Sequence, residues 1–144
     1  MVEYSKAYPK AHLVASESAH ARLSDTFKGL SSLAKALPDG LTLEEPCGLK
    51  NGEVWLIESA QIGYIWHVVD AFSGQKHTEG PICDIVKMIK IFPNFGIKDR
   101  KVFANEVMRL IEISLPEILL PCHGALIKTP ELANQIRNLI LELS

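Results

Sequence analysis

A chain of 144 residues with 47% hydrophobic and 22% charged content has the length and balance of one globular domain with a buried core. Fifteen basic residues against seventeen acidic ones give a formal charge of −2, and neither sign gathers into a run that could follow a phosphate backbone, which argues against nucleic acid as a partner. The longest apolar stretches, Val54 to Ile57 and Ile113 to Leu120, fall far short of the roughly 20 residues of a spanning helix, and three cysteines without framework spacing behind an N-terminus lacking a signal-peptide core imply a reduced, cytoplasmic protein without a membrane partner.

In chain order, His12 to Ala15 reads as a short strand and Ser16 as the N-cap of a helix from about Glu17 to Phe27. Leu30, Leu33, Ala34 and Leu37 continue at helical spacing until Pro38-Asp39-Gly40 ends the run, because proline lacks the N–H and glycine accepts turn dihedrals. Three strand-like runs follow, Leu41 to Glu45, Glu53 to Glu58 and Tyr64 to Asp70, and their short connections favour antiparallel neighbours.

Pro81 to Phe92 carries Ile82, Ile85, Val86 and Ile89 at helical spacing and predicts a helix broken by Pro93-Asn94-Phe95-Gly96. A further helix is predicted from about Asp99 to Ile113 with Phe103, Val107, Leu110 and Ile111 on one stripe. Glu117 to Pro121 reads as a buried strand. Thr129-Pro130-Glu131 then places a cap, a first-turn proline and an acid ahead of a helix carrying Leu132, Ile136, Leu139, Ile140 and Leu143. The fold class is α/β in the broad sense, α+β, with a mostly antiparallel or mixed sheet and helices on one face.

Four stretches in this order resemble the second half of the metallo-β-lactamase-fold hydrolases. Tyr8 to Leu23 resembles the strand and helix after that family's metal-binding helix, and Leu37 to Ile57 the stretch holding its Pro-Gly-His-Thr-Pro-Gly type loop. Val68 to Gly74 resembles the strand ending in the metal-bridging aspartate, and Leu120-Pro121-Cys122-His123-Gly124 the loop of the last metal-binding histidine. The resemblance implies one domain over residues 1–144, incomplete relative to the family: half of an αββα sandwich, without the His-x-His-x-Asp-His loop that the family carries in a segment corresponding to one before Met1. Among the five histidines, His12, His20, His67, His77 and His123, no pair fits that loop.

Carried over by position, the resemblance keeps Asp70 and His123 as metal ligands and puts Leu49 where the family has a loop histidine. Three protein ligands with one open position are what a catalytic zinc needs, so the retained pair falls short alone. Cys47, Cys122, His67 and His77 are the available extra donors, with zinc, iron or manganese as candidate metals and a metal-free protein as the alternative. Each of these residues has an ordinary structural role as well: Asp70 as a turn or capping acceptor, His123 as a donor to a carbonyl, Cys47 and Cys122 as small hydrophobes. Trp55 and Trp66, set among aliphatic strand residues, point to packing.

The expected function is therefore a degenerate protein of that fold without family-type catalysis, acting by binding or assembly. The alternative is a metal-dependent hydrolase using Asp70 and His123 with ligands from another chain or from a missing N-terminal segment. A half sheet this apolar calls for a cover, so a homodimer or larger homo-oligomer is expected. The sequence specifies no small-molecule ligand. It holds no Gly-x-Ser-x-Gly elbow, glycine-rich phosphate loop or Cys-x-x-Cys pair.

Overall fold

Ser16 starts the first helix as its residue type predicts, its Oγ accepting from the Ala19 amide at 3.3 Å with Glu17 in the first turn. The computed structural model in which this is seen describes residues 7–11, 13–27, 29–32, 37–50, 52–75 and 82–143. These fall into two units, Met1–Asp39 and Gly40–Ser144.

In the first unit, β1 (Val14–Ala15) leads into α1 (Glu17–Leu23), and β2 (Ser31–Ser32) returns parallel to β1, with Val14 opposite Ser31. His20 Nε2 lies 3.2 Å from the Leu30 carbonyl oxygen and so ties the helix to the approach of β2. The helix expected over Leu30 to Leu37 is not what Ser31 and Ser32 form. Gly29 takes a φ of 84°, which reverses the chain, and the Ser31 amide then donates to the Leu13 carbonyl at 2.9 Å. His12 and residues 33–36 lie outside the described residues.

The second unit is α+β. Among the described residues its main sheet has six strands, β3 (Leu41–Glu44), β4 (Trp55–Ala60), β5 (Gly63–His67), β7 (Ile82–Cys83), β9 (Pro116–Leu120) and β10 (Leu126–Ile127), in the order β3-β4-β5-β9-β10-β7. The first three pair antiparallel, as their short connections require. β5 and β9 pair parallel, and the chain between them supplies β6 (Phe72–Gly74), β8 (Val86–Met88), α2 (Phe92–Phe95) and α3 (Arg100–Ile113). The last helix, α4 (Leu132–Leu141), follows β10.

Cross-strand register puts Trp55, Ile57, Trp66, Leu119, Ile127 and Cys83 on one face of the sheet, and all six are buried. The predicted stripe Phe103, Val107, Leu110 and Ile111 of α3 is buried in the same core, with Leu132, Ile136 and Ile140 of α4. Trp55 sits at its centre, with ring centroids 5.9 Å from Trp66, 5.8 Å from Phe72 and 6.2 Å, edge-on, from Phe103. Trp66 Nε1 donates to the Ser114 carbonyl at 2.8 Å, which fixes the turn between α3 and β9. Asp99, the first residue of the predicted helix, caps α3 by accepting from the Val102 amide at 3.0 Å.

The helix expected over Pro81 to Phe92 is replaced by strands. Cys83 pairs with Ile127, and β8 lies antiparallel to β6 with Met88 opposite Phe72. Gln135 of α4 takes up the backbone between them: its Oε1 accepts from the Val86 amide at 2.9 Å and its Nε2 donates to the Asp84 carbonyl at 2.8 Å. Ile82 and Ile85 consequently stay exposed while Cys83 and Val86 are buried, a tertiary override of the spacing. Phe92–Phe95 forms a single helical turn with Pro93 in its first turn, where a missing N–H costs nothing. Among the described residues no helix is long and apolar enough to cross a membrane.

Candidate metal centre and pocket

Parallel strands carry equal offsets to the same level, and this builds the site. His67 at the end of β5 stands opposite Leu120 at the end of β9. Beyond them the Val68 amide donates to the Leu120 carbonyl at 2.9 Å and the Cys122 amide to the Val69 carbonyl at 3.3 Å, so the two exits stay side by side. Asp70 and His123, each three residues past the last paired position, therefore meet, with His123 Nε2 at 3.3 Å from Asp70 Oδ1. Ala71 and Phe72, both fully buried, anchor the aspartate from the other side.

His123 is held by its neighbour. Gly124 adopts a φ of 92° and packs so closely on β6 that a Cβ there would lie 2.6 Å from the Gly74 carbonyl oxygen. A Cβ on Gly74 would in turn overlap the Ala125 carbonyl. The His123-Gly124 loop is thus pressed onto the strand that follows Asp70, and both halves of the site share one rigid contact.

Cys122 completes the group: one donor atom each from Asp70, Cys122 and His123 lies within 4.8 Å of the others, an arrangement that can hold a metal ion. Asp70 Oδ1 is shielded from solvent and makes no hydrogen bond, although the carboxylate as a whole is 44% exposed; its approach to His123 is close but not aligned for hydrogen bonding. A shielded carboxylate oxygen without a hydrogen bond is costly unless a cation faces it.

Beside the group opens a pocket of about 180 Å³ lined by Asp70, His123, Ile89, Ile91, Phe92, Phe95 and Gly96. Phe92 is buried and its ring stands 6.2 Å from Phe103, so the back of the pocket is continuous with the core. Ile91 and Phe95 are exposed and form its rim. One wall is polar and the rest is hydrocarbon.

Of the seven residues singled out in the sequence, the fold brings together three, Asp70, Cys122 and His123. Cys47 and Leu49 are elsewhere. The Gly48 carbonyl accepts from the Lys98 and Asp99 amides at 2.7 and 3.0 Å, and Leu49 bridges Ile97, so this loop is built onto the start of α3. It supports the pocket from behind, the Lys50 amide donating to the Gly96 carbonyl at 2.8 Å. His67 faces Glu58 across the sheet at 3.4 Å, and His77 lies outside the described residues. The pocket walls Ile89, Ile91, Phe92 and Phe95 were not anticipated as site residues. The pair of phenylalanines bracketing Pro93-Asn94 was the available signal, concealed by the helix expected before it.

No family model matches the sequence, and no curated protein matches it. A solved structure described as the peroxy diiron species of chemotaxis sensor ODP is similar at 16% identity and a TM-score of 0.46, over 94% of this chain and 60% of that one. The chain thus spans about three-fifths of the length of that structure, and at that score the similarity carries no argument about function. The assignment to the metallo-β-lactamase-fold hydrolases does not stand: no family model and no curated protein matches the sequence. The family-specific half sandwich goes with it, while the α+β class stands. The Leu49 correspondence fails on its own terms because that residue bridges Ile97 and sits behind the pocket wall.

Proposed function

We propose that this protein binds one zinc ion through Asp70, Cys122 and His123 and acts by binding rather than by hydrolysis. The observation that carries the reading is the approach of three different donor types, from Asp70, Cys122 and His123, to within 4.8 Å of one another, beside an Asp70 Oδ1 that is shielded and makes no hydrogen bond. Tetrahedral zinc at its usual bond lengths sets its ligand atoms about 3.5 Å apart. Asp70 and His123 already stand at 3.3 Å, and the exposed Cys122 closes the remaining gap by turning its side chain. A thiolate and an imidazole disfavour magnesium and calcium, which take oxygen ligands. Zinc also outranks manganese and ferrous iron in intrinsic affinity for such donors.

Three protein ligands leave a coordination position for something that is not part of the site. In a hydrolase that position holds a water, and a further side chain moves its proton. Here the pocket beyond the ligands is walled by Ile89, Ile91, Phe92 and Phe95, which move no protons. That wall favours retention of a ligand over turnover.

The test is zinc content after dialysis of the full chain against buffered zinc. The expected result is close to one equivalent in the native protein, with the bound ion lost in Asp70→Ala and in His123→Ala while their folded circular dichroism is retained. Native protein that retains no zinc refutes the reading. Light scattering on the loaded sample reads the assembly: a zinc-dependent doubling of mass means that a second copy supplies the fourth donor.

A further inference from the structure

We propose that the pocket takes the tail of a short straight-chain aliphatic monocarboxylate, whose head group occupies the open position of the metal held by Asp70, Cys122 and His123. This rests on the zinc reading above and names its ligand class.

Size comes first. The pocket volume of 180 Å³ far exceeds the roughly 15 Å³ that one water needs, so it admits a small organic molecule. Its lining is polar at Asp70 and His123 and hydrocarbon at Ile89, Ile91, Phe92 and Phe95. A ligand that fits carries one coordinating head and an unfunctionalised tail.

The sign of the head follows from the surroundings. Zinc balances the charges of the Asp70 carboxylate and a Cys122 thiolate, so the loaded site does not repel an anion. Two cations are anchored on the helical turn that walls the pocket: Lys50 Nζ donates to the Asn94 carbonyl at 2.7 Å, and Arg100 Nη2 donates to Asn94 Oδ1 at 2.9 Å. Asn94 lies between Phe92 and Phe95. The two cations add positive charge beside the pocket wall, which does not oppose a carboxylate. Without the metal the same carboxylate meets the bare charge of Asp70 and is repelled.

The experiment is calorimetric titration of the full chain with acetate, butyrate, hexanoate and octanoate, with and without zinc, alongside a zinc titration of the same sample. Burial of each added methylene predicts about fourfold tighter binding per CH₂ until the pocket is filled, in the zinc-loaded protein only. Ile91→Ser and Phe95→Ser change exposed rim residues, so the fold and zinc affinity should hold while the gain per methylene shrinks. Zinc uptake with no chain-length dependence overturns this inference and leaves the zinc reading intact; absence of zinc uptake overturns both. Tighter binding of hexylamine to the metal-free protein also overturns it, because Asp70 itself would then be the receptor for the head group.

Discussion

Gly124→Ala separates the close approach of the site loop from ordinary turn strain, and Gly40→Ala is its internal control. Both glycines belong to the second unit and both hold a left-handed backbone, at φ 92° and 84°. An alanine in that region costs roughly 1–2 kcal/mol at either position. They differ in what the new methyl meets: at Gly40 the Ser59 carbonyl oxygen lies at 3.6 Å, an ordinary contact, whereas at Gly124 the Gly74 carbonyl oxygen lies at 2.6 Å. Backbone on both sides prevents the second contact from relaxing cheaply, so overpacking adds about 1–3 kcal/mol there. Urea denaturation should therefore show Gly124→Ala less stable than Gly40→Ala by that added amount. Zinc titration should show a loss only in Gly124→Ala, because the loop moves His123 away from Asp70. Equal stability losses within about 0.5 kcal/mol, or unchanged zinc affinity in Gly124→Ala, would refute the account of how the two strand exits are held together.

Two further substitutions on α3 test the packing. Phe103→Ala removes a fully buried ring that touches both Trp55 and Phe92, and thermal or denaturant unfolding should show a loss of about 3–5 kcal/mol. Arg109 donates to Glu106 at 2.8 Å and to Glu44 at 3.0 Å, and these bonds raise its pKa further above its ordinary value, yet the side chain is exposed; Arg109→Ala should cost less than about 1 kcal/mol by the same measurement, diminishing further at high salt.

What was legible in the sequence divides along the range of the forces involved. The α3 and α4 helices were readable because a 3.6-residue stripe is a local signal, and the stripe Phe103, Val107, Leu110 and Ile111 faces the core as read, whereas Thr129, read as the cap of α4, gives way to Glu131, which makes no side-chain cap bond. Asp70 and His123 were singled out through the family resemblance, like Cys47 and Leu49, but their meeting follows from the register of β5 on β9. The stretch from Ile82 to Ile89 was misread because its decisive partner, Gln135, is remote in sequence and supplies side-chain atoms to the Asp84 and Val86 backbone. Isoleucines three and four apart are compatible with a helix until another element claims the intervening amides. Cys47 and Leu49 were misplaced for a different reason: they came from aligning a loop to a family pattern, and such an alignment says nothing about where Gly48 finds hydrogen bonds. It finds them at Lys98 and Asp99, so the loop turns toward α3 and becomes a prop for the pocket wall. The pocket is therefore built from two stretches whose structure the local sequence pattern does not show. A supposed helix is a strand followed by the turn bearing Phe92 and Phe95, and a supposed ligand loop is the support behind them. A side chain's chemistry is written at its own position, but which cavity it faces depends on what distant backbone does with its amides, and single-sequence patterns do not encode that.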